Sequence, residues 1–289
     1  MLQGILDLEF SVGRTINPKP SHLFHTLFPM PSKKLRIAFL LAILAAVVWV
    51  AATGRPAPPP DWDEPLKVVI YPYNADGSEV AQRFIAELTL EDFLPVADFF
   101  IEQAARYELP LERPFDLALG AQIDDAPMLP PSTRGYLTRV RWGLSVRWWH
   151  FRFRDQVNKP DIIVIAHYLD PDSQPEMLHS VAIAEYRVAL TRLLASQQDY
   201  QNQQSLVIMA HEILHTVGAT DLYDPFTRAP RFPEGFADPD QEPTYPQLKA
   251  ELMAPQIPIS PYREVQADYL SDVVIGEKTA REIRWIRKP

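Results

Sequence analysis

Apolar residues along this chain recur at two spacings, which predict strands in some places and helices in others. Short apolar runs rich in β-branched residues are typical of strands. Asp161–Tyr168 is apolar almost without interruption, so we expect it at the centre of a sheet, buried on both faces. The five runs predicted to be strands are Leu66–Tyr71, Phe115–Ile123, Asp161–Tyr168, His179–Ile183 and Tyr186–Leu194.

Helical spacing predicts several helices around this sheet. Thr89–Asp92 resembles a capping box, and apolar residues recur at helical spacing over Phe93–Tyr107. Residues 204–210 are apolar enough to form a buried helix. Near the C-terminus, Thr279–Glu282 is a second capping-box pattern. It predicts a last helix, carrying Ile283–Ile286, that docks on the domain.

Basic and aromatic residues interleave between Gly135 and Asp155. A helix that packs through its aromatic residues and turns its arginines to solvent explains the pattern, and this is the interpretation that we favour. Contact with anionic lipid headgroups is the alternative. His150 lies within the stretch, and we expect it to be a packing or surface residue.

An apolar run near the N-terminus predicts an export segment. Lys33, Lys34 and Arg36 precede uninterrupted apolar residues from Ile37 to Ala52, and a proline-rich stretch follows. The length of the run leaves both a signal peptide and a membrane anchor open. The basic flank places its own side in the cytoplasm. We therefore expect the rest of the chain outside the cytoplasm, held at the membrane by an uncleaved anchor. Secretion after cleavage of the signal is the alternative.

The predicted organisation has four parts. Residues 1–32 are disordered or a mis-assigned N-terminus, with Met30 as an alternative start of translation. Residues 33–54 form the anchor or signal segment, with the membrane contacted through residues 37–54. Residues 55–64 are a proline-rich linker, and residues 65–289 form one domain.

Composition narrows the class of partner. The 289 residues are 47% hydrophobic, which is enough for a full core. Net charge is -9 and no basic stripe is present, which argues against nucleic acid as a partner. The chain has no cysteine, which excludes disulfides, thiolate metal ligands and a cysteine nucleophile.

One short motif carries the chemistry. His211 and His215 are four residues apart, so on a helix both imidazoles face the same way and can bind one cation. Glu212 lies at the edge of that face, where a carboxylate can act as general base toward water. Gly218 stands where the helix would end. A turn there would bring Asp221 back as a third ligand and leave the fourth position for water, as catalytic zinc requires.

This motif resembles the extended zinc-binding motif of the metzincin peptidases, in the snapalysin-like variant with aspartate as third ligand. Glu251–Pro255 is similar to the methionine-containing turn that lies beneath the metal in that family, with Met253 as its methionine. Pro255 stands where some members have a tyrosine. We name Tyr223 and Tyr245 as alternative residues to stabilise an oxyanion.

The resemblance implies fold and function together. It implies an α+β, metzincin-like zinc peptidase domain with a mixed sheet, an active-site helix and an irregular lower subdomain, behind the N-terminal membrane segment. The implied activity is zinc-dependent hydrolysis of peptide bonds, an endopeptidase acting on a peptide or protein substrate. An edge strand of the sheet would line the cleft and hold the substrate by strand addition. We favour structural roles for His167 and His179, and the alternative is that they line the cleft.

Two alternatives stay open. Glu264-x-x-x-Asp268 resembles the downstream helix that supplies the third ligand in gluzincin peptidases, so Glu264 competes with Asp221. Glu251 and Asp224 are weaker candidates for that role. The site can also be a non-catalytic or partner-specific zinc module at the membrane.

Overall fold

A computed structural model describes residues 32–53, 60–130, 135–153, 160–173 and 179–286. The chain divides into two units, Met1–Gly54 and Arg55–Pro289. The first contains helix α1, Lys33–Thr53. The side chains of this helix are described as far as Val48. Among the described residues, no helix is both long and apolar enough to cross a membrane. The membrane segment stays a prediction, and the predictions for residues 1–31 lie outside the described residues.

The second unit is built on a five-stranded sheet of strand order β2-β1-β3-β5-β4. The edge strand β4 runs antiparallel to β5, whereas the other neighbours are parallel. The prediction of a mixed sheet with the Asp161–Tyr168 run at its centre is confirmed. The strands are β1 (Leu66–Asn74), β2 (Phe115–Leu119), β3 (Ile162–Leu169), β4 (Val181–Ile183) and β5 (Val188–Leu194).

The first strand continues through Pro72, where the sequence predicted its end. Gly120 donates its amide to the carbonyl of Ile70 (2.8 Å), and pairing of β1 with β2 stops at Ile70. The backbone of Pro72 faces the side of β2, where the pairing has already ended. The missing amide of proline therefore costs no ladder hydrogen bond there. On its other side β1 stays paired with β3 as far as Asn74.

Helices cover both faces of the sheet. α2, α3 and α5 share a hydrophobic core with one face, and α4 packs on the other face through Val146, Trp149 and Phe153. The mainly parallel sheet with helices on both sides makes the fold mixed α/β, where the sequence predicted α+β. The described residues contain six α-helices, the remaining five being α2 (Glu79–Glu87), α3 (Leu94–Arg106), α4 (Tyr136–Phe153), α5 (Asp199–Thr216) and α6 (Glu277–Glu282).

The predicted capping box at Thr89 is present. Thr89 donates its amide to the carboxylate of Asp92 (2.7 Å) and opens the 3₁₀ turn Leu90–Phe93, which leads into α3. The helix predicted from Phe93 to Tyr107 is thereby confirmed within about one turn.

The chain from Val217 to Lys249 is irregular, as predicted, and the described residues there form only isolated bridges such as Tyr223 with Pro230. Four short strands follow it in two pairs: β6 (Ala250–Glu251) with β9 (Val273–Val274), and β7 (Gln256–Ser260) with β8 (Arg263–Gln266). A second 3₁₀ turn, Leu270–Asp272, precedes β9.

The predicted capping box at Thr279 is wrong. Helix α6 begins earlier, after Gly276, so Thr279 lies inside it. Its hydroxyl donates to the buried carboxylate of Glu251 (2.7 Å), and this contact replaces the cap. The segment after α6 does dock on the domain, because Ile283 and Trp285 are buried in the core.

The domain also begins earlier than predicted. Trp62, assigned to the linker, is buried against Phe115 and Trp285 and donates its indole N–H to the carbonyl of Ile283 (2.6 Å). An aromatic residue in a proline-rich stretch was the signal that the sequence offered.

Candidate metal centre

The helix that carries the motif histidines, α5, ends in a left-handed glycine. Gly218 has a φ of 109°. Its amide donates to the carbonyl of His215 (3.2 Å), and the amide of Ala219 donates to the carbonyl of Leu214 (3.1 Å). This pair of bonds is a Schellman motif, and glycine adopts the required backbone without a Cβ penalty. The chain therefore reverses toward the third predicted ligand.

Each motif histidine is oriented by a backbone carbonyl. Nδ1 of His211 lies 2.9 Å from the carbonyl oxygen of Leu252, and Nδ1 of His215 lies 2.8 Å from that of Ala219. A carbonyl oxygen only accepts, so Nδ1 carries the hydrogen in both rings. In the neutral imidazoles Nε2 is then left with its lone pair. Such a contact to the far nitrogen is the usual support of a metal-binding histidine.

Three ligand atoms converge on one point. Nε2 of His215 lies 3.0 Å from Nε2 of His211 and 3.1 Å from Oδ1 of Asp221, and the third side of the triangle is 3.3 Å. Tetrahedral ligands at about 2.0 Å from zinc are about 3.3 Å apart. The residues therefore fit a small divalent cation, and these are the described residues that could hold one.

The charge of the aspartate completes the site. Burial alone would raise the pKa of Asp221, but hydrogen bonds from His211 and His215, when their Nε2 atoms are protonated, hold that pKa well below its ordinary value. The pKa of His215, which burial alone would lower, is raised by Asp221 and Glu212. One carboxylate facing two imidazoles is an electrostatic arrangement that favours a cation.

The loop that presents Asp221 is fastened on both sides. Glu282 of α6 accepts hydrogen bonds from the amide of Thr220 (2.8 Å) and from its hydroxyl (2.9 Å). The side chain of Arg231 donates to the backbone carbonyl of Asp221, and the backbone amide of Arg231 donates to the carbonyl of Leu222 (2.8 Å). These contacts fix the backbone on either side of the ligand.

The predicted methionine turn lies against both parts of the site. Met253 is fully buried, and its carbonyl accepts the amide of Leu222 (2.9 Å), next to the aspartate ligand. The preceding carbonyl, that of Leu252, orients His211. One turn therefore positions a ligand from the helix and a ligand from the loop.

A buried carboxylate holds this turn in shape. Glu251 is fully buried and accepts hydrogen bonds from the amides of Met253 and Gly276 and from the hydroxyl of Thr279. Burial raises the pKa of Glu251 to about 7, although these three donors act in the opposite direction. It takes no part in the ligand cluster, which excludes it as a rival to Asp221 in this structure.

Glu212 lies next to His211 in the motif, and one of its carboxylate oxygens has no hydrogen-bond partner among the described residues. The side chain is buried, and Oε2 makes no hydrogen bond to any described residue. Burial raises the pKa of Glu212, while the two motif histidines act to lower it. An unsatisfied buried carboxylate is costly and calls for a ligand or a water molecule.

A cleft of about 350 Å³ opens beside His211 and Glu212. Its walls come from the edge of the sheet, from α5 and from the irregular region. Glu212 is the single acidic side chain that lines it in the described part of the chain. The polar lining residues include His179, Ser180, Arg192, Glu212, Tyr223 and Arg228.

Two of these residues have marked electrostatic environments. Burial lowers the pKa of Arg192, whose buried Nε has no hydrogen-bond partner among the described residues. Tyr223 lies under the guanidinium of Arg228, 4.2 Å from its ring centre, and its hydroxyl accepts from that group (3.1 Å). Burial and the nearby Asp221 raise the pKa of Tyr223 to about 12, so the phenol keeps its proton.

The other candidates from the sequence lie elsewhere. Glu264 is on strand β8, where the sequence predicted a ligand-bearing helix, and is outside the ligand cluster. Asp224 accepts from the amides of Phe226 and Thr227 in a turn. Tyr245 packs on the ring of Phe236.

The two histidines named as cleft candidates differ. His167 is buried in the sheet, and its ring nitrogens contact the carbonyls of Ile165 (3.1 Å) and Pro127 (2.9 Å), so its role is structural. His179 lines the cleft as the alternative interpretation expected.

Three supporting residues escaped the sequence reasoning. The carbonyl of Leu252 carries no side-chain signal. Glu282 was predicted only as part of a capping box. Arg192 lies inside a predicted strand, and no role was predicted for it. The charged side chain of Arg192 in a mostly apolar run was the one available signal.

No known protein family matches this chain, and none of the curated proteins is similar to it in sequence.

Proposed function

We propose that this protein is a zinc-dependent endopeptidase that hydrolyses peptide bonds in the cleft beside His211. The observation that carries the proposal is the convergence of three lone-pair atoms, from His211, His215 and Asp221, beside the unpartnered buried oxygen of Glu212. The metzincin resemblance of the motif and of the Met253 turn belongs to this proposal.

Zinc is the metal that the donor set favours. Two imidazole nitrogens and one carboxylate oxygen match the mixed ligands of catalytic zinc sites, and the set is too poor in oxygen for calcium or magnesium. When bound, zinc acidifies a water molecule and polarises a carbonyl group.

Glu212 acts as the general base and then as the general acid. Its buried Oε2 accepts a proton from the attacking water, and the same carboxyl returns the proton to the leaving amine. The water oxygen adds to the carbonyl carbon, and the carbonyl oxygen takes up negative charge. The carbon–nitrogen bond then breaks as the leaving amine receives the proton. Burial in the protein raises the pKa of Glu212, which brings it closer to the neutral range in which a base must both take and give a proton.

Tyr223, which also lines the cleft, supplies a hydrogen-bond donor. Its hydroxyl is protonated at neutral pH, and the Arg228 guanidinium over its ring polarises it. We assign to it the stabilisation of negative charge on the substrate carbonyl oxygen. This takes the place of the tyrosine that Pro255 displaces from the methionine turn.

An extended peptide fits along the edge of the sheet. β4 is the edge strand, and His179 and Ser180, which precede it, line the cleft. Strand addition would hold the substrate backbone beside the metal site. Arg192 and Arg228 make the cleft cationic, so a substrate with an acidic side chain is favoured.

The place of action belongs to the same proposal. The apolar residues of α1 from Ile37 to Val48 are mostly exposed on the helix, and Lys33, Lys34 and Arg36 precede them. We propose that residues 37–54 attach the chain to the membrane with its second unit outside the cytoplasm.

The replacement Glu212→Gln tests the function. The zinc-loaded variant should bind zinc as wild type does and lose cleavage of a peptide library, measured by mass spectrometry of the products. Glu234→Gln, an exposed glutamate of the irregular region, is the control and should keep full activity. Wild-type cleavage that survives unchanged in Glu212→Gln would refute the mechanism. Stoichiometric zinc without any cleavage by wild type would instead indicate a structural zinc module.

A further inference from the structure

Helix α4 is apolar on two opposite faces. One face packs on the sheet through Trp142, Val146, Trp149 and Phe153, which recur at helical spacing. The other face exposes large apolar side chains at the same spacing. Leu137 is 79% exposed, Leu144 46% and Trp148 52%. The full exposed stripe is Tyr136, Leu137, Val140, Leu144, Trp148 and Phe151.

Exposed apolar stripes of this kind are uncommon on soluble domains and mark binding surfaces. A surface helix ordinarily turns polar residues away from the core. All members of the stripe except Phe151 are 42–79% exposed, so the packing of the described residues does not explain it.

The residues that flank the stripe are cationic. Arg141 and Arg152 project on one side of it by helical geometry and Arg147 on the other, and Arg139 lies near its start. The helix has no acidic residue, although the whole chain carries a net charge of -9. Arg139 and Arg141 are exposed, whereas Arg152 is paired with Asp125 (2.7 Å).

We propose that α4 is a docking surface for an anionic lipid bilayer. Leucine, tryptophan and phenylalanine side chains would enter the interface between headgroups and acyl chains, while the arginines would bind lipid phosphates. The opposite charge of the helix and of an anionic leaflet selects this occupant. A second copy of the chain would have to cover the same apolar stripe and place its own arginines against the first set.

A spin label tests the docking directly, because the chain has no native cysteine. The full-length variant Leu144→Cys is labelled and added to nanodiscs of phosphatidylcholine alone or mixed with phosphatidylglycerol. In the mixed discs, accessibility to oxygen should rise and accessibility to a water-soluble nickel complex should fall. Leu248→Cys, at an exposed leucine of the irregular region, is the matched control and should stay accessible to nickel.

Charge reversal separates lipid docking from the alternatives. Arg139→Glu with Arg141→Glu should lower the docking equilibrium at least about 30-fold, because each basic residue lost near an anionic surface removes about 1 kcal/mol and each added carboxylate is repelled. Arg83→Glu with Arg263→Glu changes the net charge equally and should leave docking intact.

Three results would overturn the proposal. The first is a label that stays accessible to nickel in both kinds of disc. The second is protection that is equal without phosphatidylglycerol or after charge reversal on α4. The third is protection that appears without lipid and grows with protein concentration, which would assign the stripe to a second copy of the chain. None of these depends on zinc or on cleavage.

Discussion

Nδ1 of His211 lies 2.9 Å from the carbonyl oxygen of Leu252, a residue of the turn beneath the site. The next carbonyl of that turn, of Met253, accepts the amide of Leu222, which follows the ligand Asp221. The distance between helix ligand and loop ligand is thus set by two successive peptide groups. A metal centre assembled this way depends on backbone geometry more than on the side chains around it.

Asp221 is expected to be the third ligand. Asp221→Ala should lower the affinity for zinc at least about 10- to 100-fold, because removing even a group that only orients a ligand costs that much. Glu264→Ala should leave zinc affinity nearly unchanged, because Glu264 is on strand β8 and outside the cluster. Competition with a fluorescent zinc chelator measures both. The reverse outcome would replace the metzincin assignment by a gluzincin one.

Gly218→Ala should disturb the fold and the site together. At a φ of 109° an alanine is strained, although its Cβ would meet the nearest atom, the carbonyl oxygen of Glu282, at 3.7 Å. The cost is therefore conformational, about 1–2 kcal/mol, and not steric. Urea unfolding should show it. Zinc affinity should fall as well, because relaxation of the turn moves the Ala219 carbonyl that orients His215. An alanine variant with wild-type stability would show that the turn is not strained.

The sequence predicted the elements of this site better than its supports. The histidine spacing, Gly218 and Asp221 depend on local geometry of one helix and its cap, so they could be predicted and are found together. Leu252 and Glu282 act from distant segments through a carbonyl and through the end of α6. No local pattern encodes such contacts.

The fold shows the same division. The central strand β3 could be predicted from its continuous apolar run, because both its faces are buried. The end of β1 was missed because the effect of Pro72 depends on where β2 stops. The predicted cap at Thr279 was wrong because the helix begins after Gly276 and because Glu251, distant in sequence, accepts the hydrogen bond of the Thr279 hydroxyl.

Glu251 should give stability a distinctive dependence on pH. Its pKa is about 7 in the folded protein, above the ordinary value of 4.5. Between these values the folded state holds the proton more tightly than the unfolded chain, so this group contributes stability that is lost as pH rises. As pH rises from 4.5 to 7, the free energy of unfolding of the metal-free wild type should fall relative to that of Glu251→Gln by up to about 1.4 kcal/mol per pH unit. Urea unfolding of both proteins measures this difference. A difference that is constant or that favours wild type with rising pH would contradict the assignment.

Arg192 is expected to select acidic substrates in the cleft. Among the described residues, its buried Nε has no hydrogen-bond partner, and the cleft offers it no carboxylate except that of Glu212. A hydrogen bond to a charged group contributes about 1.5–3 kcal/mol, so Arg192→Gln should lower kcat/KM about 10- to 100-fold for peptides with aspartate or glutamate at one position from the scissile bond. Peptides with neutral residues there should be cleaved as by wild type. Arg263→Gln, an exposed arginine on β8, is the control. If cleavage persists and depends on Glu212 but Arg192→Gln lowers it equally for all peptides, the role of Arg192 is structural and the hydrolytic function stands without it.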